Sequence, residues 1–307
     1  MVSLNGALLR FTEEARKIRR TLRANRYAQA KQKAPSPWPT LPPNAFSQGK
    51  VLVVVAHPDD EVISIGGLMA RPASLGIVLA TDGAPRDMHI VGQEGKMSRK
   101  AFARMRSSES WKATQLAKRT IKPNMSLNVP DQDATFALVS LTHSLEQIIE
   151  AGHWDFVVTH PYEGGHPDHD SVAFAVHCAC QKVANRTGSA PTILEATSYH
   201  DEGGEMVYGR FLHHQGAGQP FSIALSEEEK TRKAAMFDCY PSQATLLKSF
   251  PKDVETFRQA PPYDFLAPPH DGPLSYEKYG WEVTGEIWRQ EAAHALSQLH
   301  LLETAPR

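Results

Sequence analysis

The stretch VLVVVAHPDDE, residues 51–61, joins a run of apolar residues directly to a group of ionisable side chains. Val51–Val55 is apolar at every position, without the alternation of a half-exposed strand, and this is typical of a buried parallel strand. Four ionisable residues follow at once: His57, Asp59, Asp60 and Glu61. Because burying a charge is costly unless the charge is paired or bound to a metal, this group needs a partner.

The composition is that of a folded protein without strong charge. Of 307 residues, 41% are hydrophobic and 22% are charged, which allows a substantial core. The formal net charge of −1 gives no reason to expect binding to nucleic acid. Three cysteines are too few for a disulfide framework and favour a reducing compartment. No apolar stretch approaches the ~20 residues that span a bilayer, so we expect a cytoplasmic protein.

Residues 1–33 differ from the rest of the chain and predict a basic amphipathic helix. The apolar positions recur at spacings of three and four: Leu8, Phe11, Ala15, Ile18 and Leu22. Two roles fit this helix, packing on its own domain or a second subunit, and weak peripheral contact with the inner membrane surface. A Pro-rich linker follows at residues 35–44. We therefore divide the chain into a segment 1–45 and a single domain 46–307.

Predicted strands and helices alternate after the linker. Strands are predicted at residues 51–55, 77–81, 125–129 and 156–159, and helices at 62–75, 98–118 with Ser98 as cap, 135–151 and 171–184. This order predicts an α/β domain with a mostly parallel sheet flanked by helices. Beyond residue 200 the pattern weakens into Pro- and aromatic-rich segments, for which we predict irregular loops or a small cap.

Polar residues are concentrated directly after three of the predicted strands, at His57–Glu61, Thr81–Asp82 and His160–Asp170. In parallel α/β sheets, ligands bind outside the carboxyl ends of the strands, so these segments predict one active site. The first strand–helix turn contains Pro58 and carboxylates where a nucleotide site needs glycines and free N–H groups. A dinucleotide site is therefore not expected.

Imidazoles combined with carboxylates favour a divalent cation, and zinc prefers histidine nitrogen with one carboxylate. His57 and Asp60 lie three positions apart and can bind one ion from a single turn. A third ligand is expected from HPDH, residues 166–169, although spacing alone leaves open which of its histidines binds. Asp59 lies between the two proposed ligands but points elsewhere. It is therefore available as the general base.

Hydrolysis at such a site also needs a group that stabilises the developing oxyanion. The HPDH histidine that does not bind the metal is available for this role as a cation. For His166 we expect the neighbouring Asp168 to raise the imidazole pKa and so favour the charged form. We therefore include both residues among the catalytic candidates.

Taken in order, these segments resemble the PIG-L/LmbE family of zinc-dependent de-N-acetylases, which act on N-acetylglucosamine-type conjugates. The resemblance covers about residues 50–185 and implies a Rossmann-like, LmbE-like fold. It is carried by AHPDDE at 56–61, TDG at 81–83, Arg106 and Glu109 of an R-x-x-E pattern, Pro130–Asp131 and GGHPDH at 164–169, with a fainter match at Ser242–Gln243.

The resemblance implies a role for each matching residue. One Zn²⁺ ion per chain would be held by the family's three ligand positions, here His57, Asp60 and His169. Asp59 matches the general base and His166 the cationic electrostatic catalyst. Three further residues are predicted to contact the substrate: Asp131 at the sugar hydroxyls, Arg106 and Tyr162. This chain has Gly164 where some members have a tyrosine, so Tyr162 is the nearby substitute, and it has Tyr240 where the family often has a histidine.

We therefore predict an enzyme that hydrolyses the N-acetyl group of a small-molecule or lipid-linked amino-sugar conjugate, releasing acetate and a free amine. Two alternatives stay open from the sequence. Acidic clusters at strand ends also serve metal-dependent phosphoesterases, often with two metal ions. A catalytically idle zinc- or carbohydrate-binding module is the other alternative, although such a module would not need Asp59 as a base.

Overall fold

The computed structural model describes residues 49–93, 95–117, 124–214 and 216–302. The predicted amphipathic helix at 1–33 and the Pro-rich linker lie outside these ranges, so the division of the chain near residue 45 stays a prediction. Within the described ranges, every helix is too short or too polar to cross a membrane.

A seven-stranded sheet forms the centre of the described domain, in the order β3-β2-β1-β4-β5-β9-β8. Its strands are β1 (Lys50–Val55), β2 (Ser74–Pro85), β3 (Met125–Asp131), β4 (Phe156–Thr159), β5 (Thr192–Ala196), β8 (Phe221–Ala224) and β9 (Val254–Gln259). Strands β1 to β5 pair in parallel, whereas β9 runs antiparallel to both β5 and β8. A separate hairpin pairs β6 (Tyr199–Glu202) with β7 (Glu205–Tyr208). The mostly parallel, Rossmann-like sheet predicted from the sequence is confirmed.

The helices connect these strands. They are α1 (Asp60–Ile65), α2 (Arg99–Gln115), α3 (Leu138–Gly152), α4 (Pro167–Thr187), α5 (Glu227–Phe237), α6 (Ala244–Leu247) and α7 (Gly285–Gln298), with 3-10 turns at Ala134–Ala137, Pro241–Gln243 and Ser275–Tyr279. Helix α2 begins as predicted, because the Ser98 side chain accepts a hydrogen bond from the Ala101 backbone N–H. One core lies between the sheet and helices α3 and α4, and a second, aromatic core surrounds Trp288 of α7.

Several boundaries differ from the sequence predictions. Helix α1 ends at Ile65 rather than near Pro72, and Gly66 and Gly67, predicted only to disturb it, follow its end. Strand β2 consequently starts earlier than predicted, at Ser74. Helix α4 begins at Pro167, inside the HPDH motif, because proline is well suited to the first helical position.

The C-terminal part is more regular than predicted. Strands β8 and β9 extend the sheet, and two further helices replace the predicted loops: α5 contacts α1 and α2, and α7 packs on α3. The sequence signal was weak here because β8 has only four residues and β9 buries the charged side chains of Glu255 and Arg258.

Candidate active site

The parallel register brings the polar segments together at one edge of the sheet. Val55 of β1 pairs with Leu79 of β2, and Val53 pairs with Val158 of β4, so the three strands end side by side. The residues that follow the strand ends form a buried group, here called the histidine–aspartate cluster: His57, Asp60, Asp131, His160, His166, Asp168 and His169. The convergence predicted for His57–Glu61 and His160–Asp170 therefore occurs, whereas Asp82 of the third segment pairs with Arg99.

Asp60 lies at the centre of this cluster. Its Oδ2 is 3.2 Å from Nδ1 of His57, and 3.4 Å from Nε2 of both His169 and His160. Burial alone would raise the pKa of Asp60, but the imidazoles of His169 and His160 hold it well below its usual range. Asp60 is therefore an ionised carboxylate in contact with three imidazoles, a donor set that suits zinc.

His169 presents an imidazole nitrogen that fits a metal ligand. Its Nδ1 lies 3.3 Å from the Ser198 hydroxyl, while its Nε2 is buried and has no hydrogen-bond partner among the described residues. Burial lowers the pKa of His169 to about 3, which keeps the ring in the neutral form that binds metals. The ring also stacks on His160, with centroids 3.9 Å apart. A buried, unpartnered nitrogen beside a carboxylate is costly unless a ligand fills the position.

His57 connects Asp60 to a second group of carboxylates. Its Nε2 lies 3.1 Å from Oδ2 of Asp168 and 3.3 Å from Oδ1 of Asp131. Burial alone would lower the pKa of His57, but Asp131 and the other carboxylates raise it well above the usual value. Donor atoms of His57, His166 and His169 all lie within 4.8 Å of one another. The cluster thus offers several overlapping donor sets around His57.

The predicted ligands His57, Asp60 and His169 are brought together around Oδ2 of Asp60. His160 is an additional donor that the sequence did not single out, since it forms a group with Asp60 and His169. Its Nε2 also accepts a hydrogen bond from the Ala56 backbone N–H, at 3.0 Å. Its position directly after β4, at the end of the apolar run, was the signal that could have indicated it.

Asp59 lies beside the cluster but outside its donor sets. Its backbone has a φ of 141°, a value that residues with a side chain rarely adopt. The Asp59 N–H donates to Glu61 at 2.9 Å, and Arg106 lies 3.4 Å from its carboxylate. Burial raises the pKa of Asp59 to about 8, and Arg106 opposes this rise. A buried carboxyl held apart from the metal donors fits a general base.

Glu61, to which the sequence gave no role, supports this turn. Its Oε1 accepts hydrogen bonds of 2.5 Å from both the Ser110 and Tyr240 hydroxyls, and its Oε2 accepts the Asp59 N–H. Tyr240 comes from a segment 179 residues away in sequence, just before Ser242–Gln243. The tyrosine that replaces the family's histidine therefore holds the carboxylate that positions the Asp59 backbone.

Asp168 raises the pKa of His166 as predicted, but burial and other groups outweigh this effect. Asp168 directs its carboxylate to His57 and accepts backbone hydrogen bonds from Gln132 and Ala134, at 2.7 Å and 3.1 Å. Burial and, next, His57 lower the pKa of His166 to about 3, and this outweighs the raising effect of Asp168. The His166 ring is therefore neutral rather than cationic.

Two predicted substrate contacts also need correction. Arg106 is buried and donates to the Pro58 carbonyl at 2.6 Å, so it supports the turn that carries Asp59 rather than reaching toward a substrate. Tyr162 lies in the aromatic core against Trp288, and its hydroxyl donates to the Ala267 carbonyl at 3.0 Å. Helix α7 occupies the space around Tyr162, which is therefore unavailable to a ligand. Asp131, the third predicted contact, does lie in the cluster.

Several solved structures share this fold at low sequence identity. A teicoplanin deacetylase in its zinc-inhibited form aligns with a TM-score of 0.50 at 16% identity, covering 70% of this chain and 99% of that one. The deacetylase–teicoplanin complex gives the same score and identity, with 100% of that chain covered. The N,N′-diacetylchitobiose deacetylase from Pyrococcus horikoshii aligns at 0.48 with 19% identity, covering 72% and 86% of the two chains. At these identities the likeness shows the fold alone.

No curated protein matches this chain in sequence. A family model does match residues 52–180, the segment from β1 through most of α4 that supplies every member of the histidine–aspartate cluster. The resemblance predicted from AHPDDE and HPDH is thereby confirmed over this segment, which matches the PIG-L family, GlcNAc-PI de-N-acetylase.

Proposed function

We propose that this protein is a zinc-dependent hydrolase that removes the N-acetyl group from an amino-sugar conjugate, releasing acetate and a free amine. The observation that carries the proposal is the buried Nε2 of His169, which lies beside Asp60 and has no hydrogen-bond partner within the described ranges, next to the separate buried carboxyl of Asp59. The match of this same segment to the de-N-acetylase family supports the choice of reaction.

His57, Asp60 and His169 would hold the ion, with His160 completing the polar surroundings of Asp60. Two imidazoles and a carboxylate are a common ligand set of catalytic zinc. A bound zinc ion would supply Lewis-acid polarisation of the substrate carbonyl. The negative charge of Asp60, Asp131 and Asp168 around His57 favours the binding of a cation at this position.

Asp59 would take a proton from the attacking water and later deliver it to the departing amine. Burial, which raises the pKa of Asp59 to about 8, favours a carboxyl that can hold this proton near neutral pH. The Glu61 carboxylate and Arg106 fix its position from two sides. A single residue can thus serve as base and then as acid.

His166 would act as a neutral hydrogen-bond donor to the oxyanion. Its Nδ1 accepts a hydrogen bond from the Asp168 N–H at 3.1 Å, so the proton of the neutral ring is on Nε2. That Nε2 lies 3.9 Å from Asp131, on the accessible side of the cluster. Asp131 is the most exposed carboxylate of the histidine–aspartate cluster, and we assign it to a hydroxyl of the sugar.

The substrate class follows from the family description and from the names of the similar structures. These include deacetylases of teicoplanin and of N,N′-diacetylchitobiose. We therefore take an acetamido sugar within a larger molecule as the substrate class. Both soluble and lipid-linked conjugates fit, and sedimentation with liposomes, with and without residues 1–33, distinguishes membrane-bound from free protein.

The test combines metal quantification with an acetate-release assay on N-acetyl sugars. We expect one zinc ion per chain and activity that is lost on chelation. Asp59→Asn should retain the zinc while acetate release falls by at least about 10³-fold, because the base is removed without disturbing the ligands. The exposed Asp253 provides a matched control, and Asp253→Asn should be fully active.

Three results would contradict the proposal. Normal hydrolysis by Asp59→Asn would exclude Asp59 as the base. Two magnesium or manganese ions with phosphatase activity would favour a phosphoesterase. Bound zinc without hydrolysis of any acetylated amine in a broad panel would favour a non-catalytic binding module.

A further inference from the structure

Two aromatic side chains form a stacked pair beside the histidine–aspartate cluster. The rings of Tyr279 and Trp281 have centroids 5.0 Å apart and planes inclined by 27°. Gly280 between them has a φ of 66°, a left-handed conformation that favours glycine and brings the flanking rings to the same side. Tyr279 is 56% exposed and Trp281 is partly exposed. The pair therefore offers an accessible aromatic surface.

This surface is continuous with the proposed active site. Trp281 contacts His166 edge to face, with ring centroids 5.1 Å apart, and His166 in turn faces Asp131. Their neighbour Tyr276 is fully buried in the aromatic core and anchors the same 3-10 turn. Trp281 is only partly buried against that core, and Tyr279 is exposed. Tyr276 fixes the turn in the core, while Tyr279 projects outward from it.

We propose that Tyr279 and Trp281 form a sugar-stacking subsite, which binds the ring adjacent to the acetamido sugar of the substrate. The inference rests on the proposed deacetylase function for the identity of the neighbouring ring. A pyranose presents an apolar face of C–H bonds that packs on an aromatic plane, with hydroxyls directed outward around its edge. The rim of an active site is where such a second ring would lie.

The surroundings of the pair favour a sugar over a hydrocarbon chain. Charged residues flank the aromatic pair on both sides in sequence, Lys278 before it and Glu282 after it, and both are exposed. Lys278 is fixed by Asp201 and by the Gly204 carbonyl of the β6–β7 hairpin. An apolar face bordered by polar groups matches the amphiphilic surface of a carbohydrate, whereas a lipid chain would require a longer apolar groove.

The experiment compares a monosaccharide with a disaccharide. KM and kcat for acetate release are measured with N-acetylglucosamine and with N,N′-diacetylchitobiose, for the wild type, Trp281→Ala and Tyr279→Ala. Trp111→Ala is the matched control, since Trp111 is 42% exposed on α2 and is not part of the proposed site. We expect Trp281→Ala to raise KM for the disaccharide about tenfold and for the monosaccharide less than about twofold.

Calorimetric titration with chitobiose, the fully deacetylated disaccharide, measures the same preference without turnover. We expect weaker binding to Trp281→Ala and unchanged binding to Trp111→Ala. If the wild type released no acetate from either sugar, the deacetylase proposal would fail, and the titration would still test the stacking. An equal rise of KM for both sugars, or chitobiose binding that is unaffected by Trp281→Ala, would overturn the subsite.

Discussion

Two buried charged clusters lie close together in this protein, and they are built differently. In the histidine–aspartate cluster the carboxylates meet imidazoles, and one imidazole nitrogen, Nε2 of His169, has no hydrogen-bond partner among the described residues. In the second, here called the Arg258 cluster, the carboxylates meet a guanidinium. Its members are Glu163, Glu195, His200, Arg258 and Tyr263.

The Arg258 cluster is held by direct hydrogen bonds. Arg258 donates from Nε to Glu195 at 2.6 Å and from Nη2 to Glu163 at 3.1 Å, while the Tyr263 hydroxyl donates to Glu195 at 2.6 Å. Glu163 also accepts the Leu212 N–H at 2.8 Å. Because a guanidinium stays charged at all relevant pH values, this arrangement has one protonation state for its cation and a fixed geometry.

The contacts within the two clusters indicate which of them is structural. The Arg258 cluster connects β5, β9 and the loop that leads to HPDH, and Arg258 pairs with both of its carboxylates. Both clusters contain buried side-chain atoms without a hydrogen-bond partner among the described residues, such as Nε2 of His169 in one and Nδ1 of His200 in the other. Within the described part of the chain, only the histidine–aspartate cluster brings imidazole and carboxylate donors within 4.8 Å of one another in sets that could hold a metal ion. One therefore holds the loop in place, and the other is left open for a ligand.

The largest effect on function is expected from a substitution of His169 in the histidine–aspartate cluster. We expect His169→Ala to lose the bound metal and to reduce acetate release by at least about 10⁴-fold, because a ligand with no other partner is removed. Elemental analysis and the acetate assay check this. The exposed His143→Ala should change neither value, and zinc binding that survives His169→Ala would remove this residue from the ligand set.

The Arg258 cluster should respond in stability rather than in chemistry. Arg258→Met leaves Glu163 and Glu195 buried without their cation, and we expect the free energy of unfolding to fall by about 3–5 kcal/mol. Urea unfolding measures this, with zinc content as the second readout. Arg210→Met, which breaks an exposed pair with Glu202, should cost less than about 0.5 kcal/mol. Comparable losses in both variants would contradict the structural role.

A smaller effect is expected at Tyr240, which connects the C-terminal part to the turn of Asp59. Tyr240→Phe removes one donor to the buried Glu61 and should lower the free energy of unfolding by about 1.5 kcal/mol, with a reduced kcat. Tyr208→Phe serves as the control, because Tyr208 makes ring contacts with Phe250 and lies away from Glu61. An unchanged kcat and stability would show that Ser110 alone suffices to hold Glu61.

The pH dependence of the free energy of unfolding provides a further test of the Arg258 cluster. Burial raises the pKa of Glu195 to about 7 even though Arg258 opposes the rise, and in Arg258→Met this pKa should rise further. An acid whose folded pKa is raised stabilises the fold at low pH and loses that contribution as pH rises through the folded pKa. The deficit of Arg258→Met should therefore grow by about 1.4 kcal/mol per pH unit above pH ~7. Unfolding at pH 5, 7 and 8 tests this, and a deficit that shrank with pH would contradict it.

The sequence predicted the parallel part of the fold and the composition of the site. Continuous apolar runs followed by polar clusters indicated buried strands with a shared carboxyl edge, and the structure has them. His57 and Asp60 could be named because they lie directly after β1, whereas Asp131 and the choice of His169 within HPDH came from the family resemblance. The weak patterns after residue 200 concealed β8, β9 and helix α7.

The sequence was less informative about the roles of individual side chains. Asp168 was expected to act on His166 because the two are neighbours in sequence, but its carboxylate contacts His57, which is 111 residues away. Tyr162 lies four residues before His166, yet its ring belongs to the core around Trp288. The direction and burial of a side chain depend on which helix packs against it. The number of residues that separate two side chains in sequence does not predict that packing.

The sequence by itself determined the buried strand, the ionisable residues that follow it and the order of the motifs, because these depend on short-range patterning. Several contacts could be identified only from the tertiary structure. Tyr240 donates to Glu61, Arg258 pairs with Glu163 and Glu195, and Trp281 contacts His166. These contacts join segments far apart in the chain. They form only in the folded domain, where β9 pairs with β5 and helix α7 packs on helix α3.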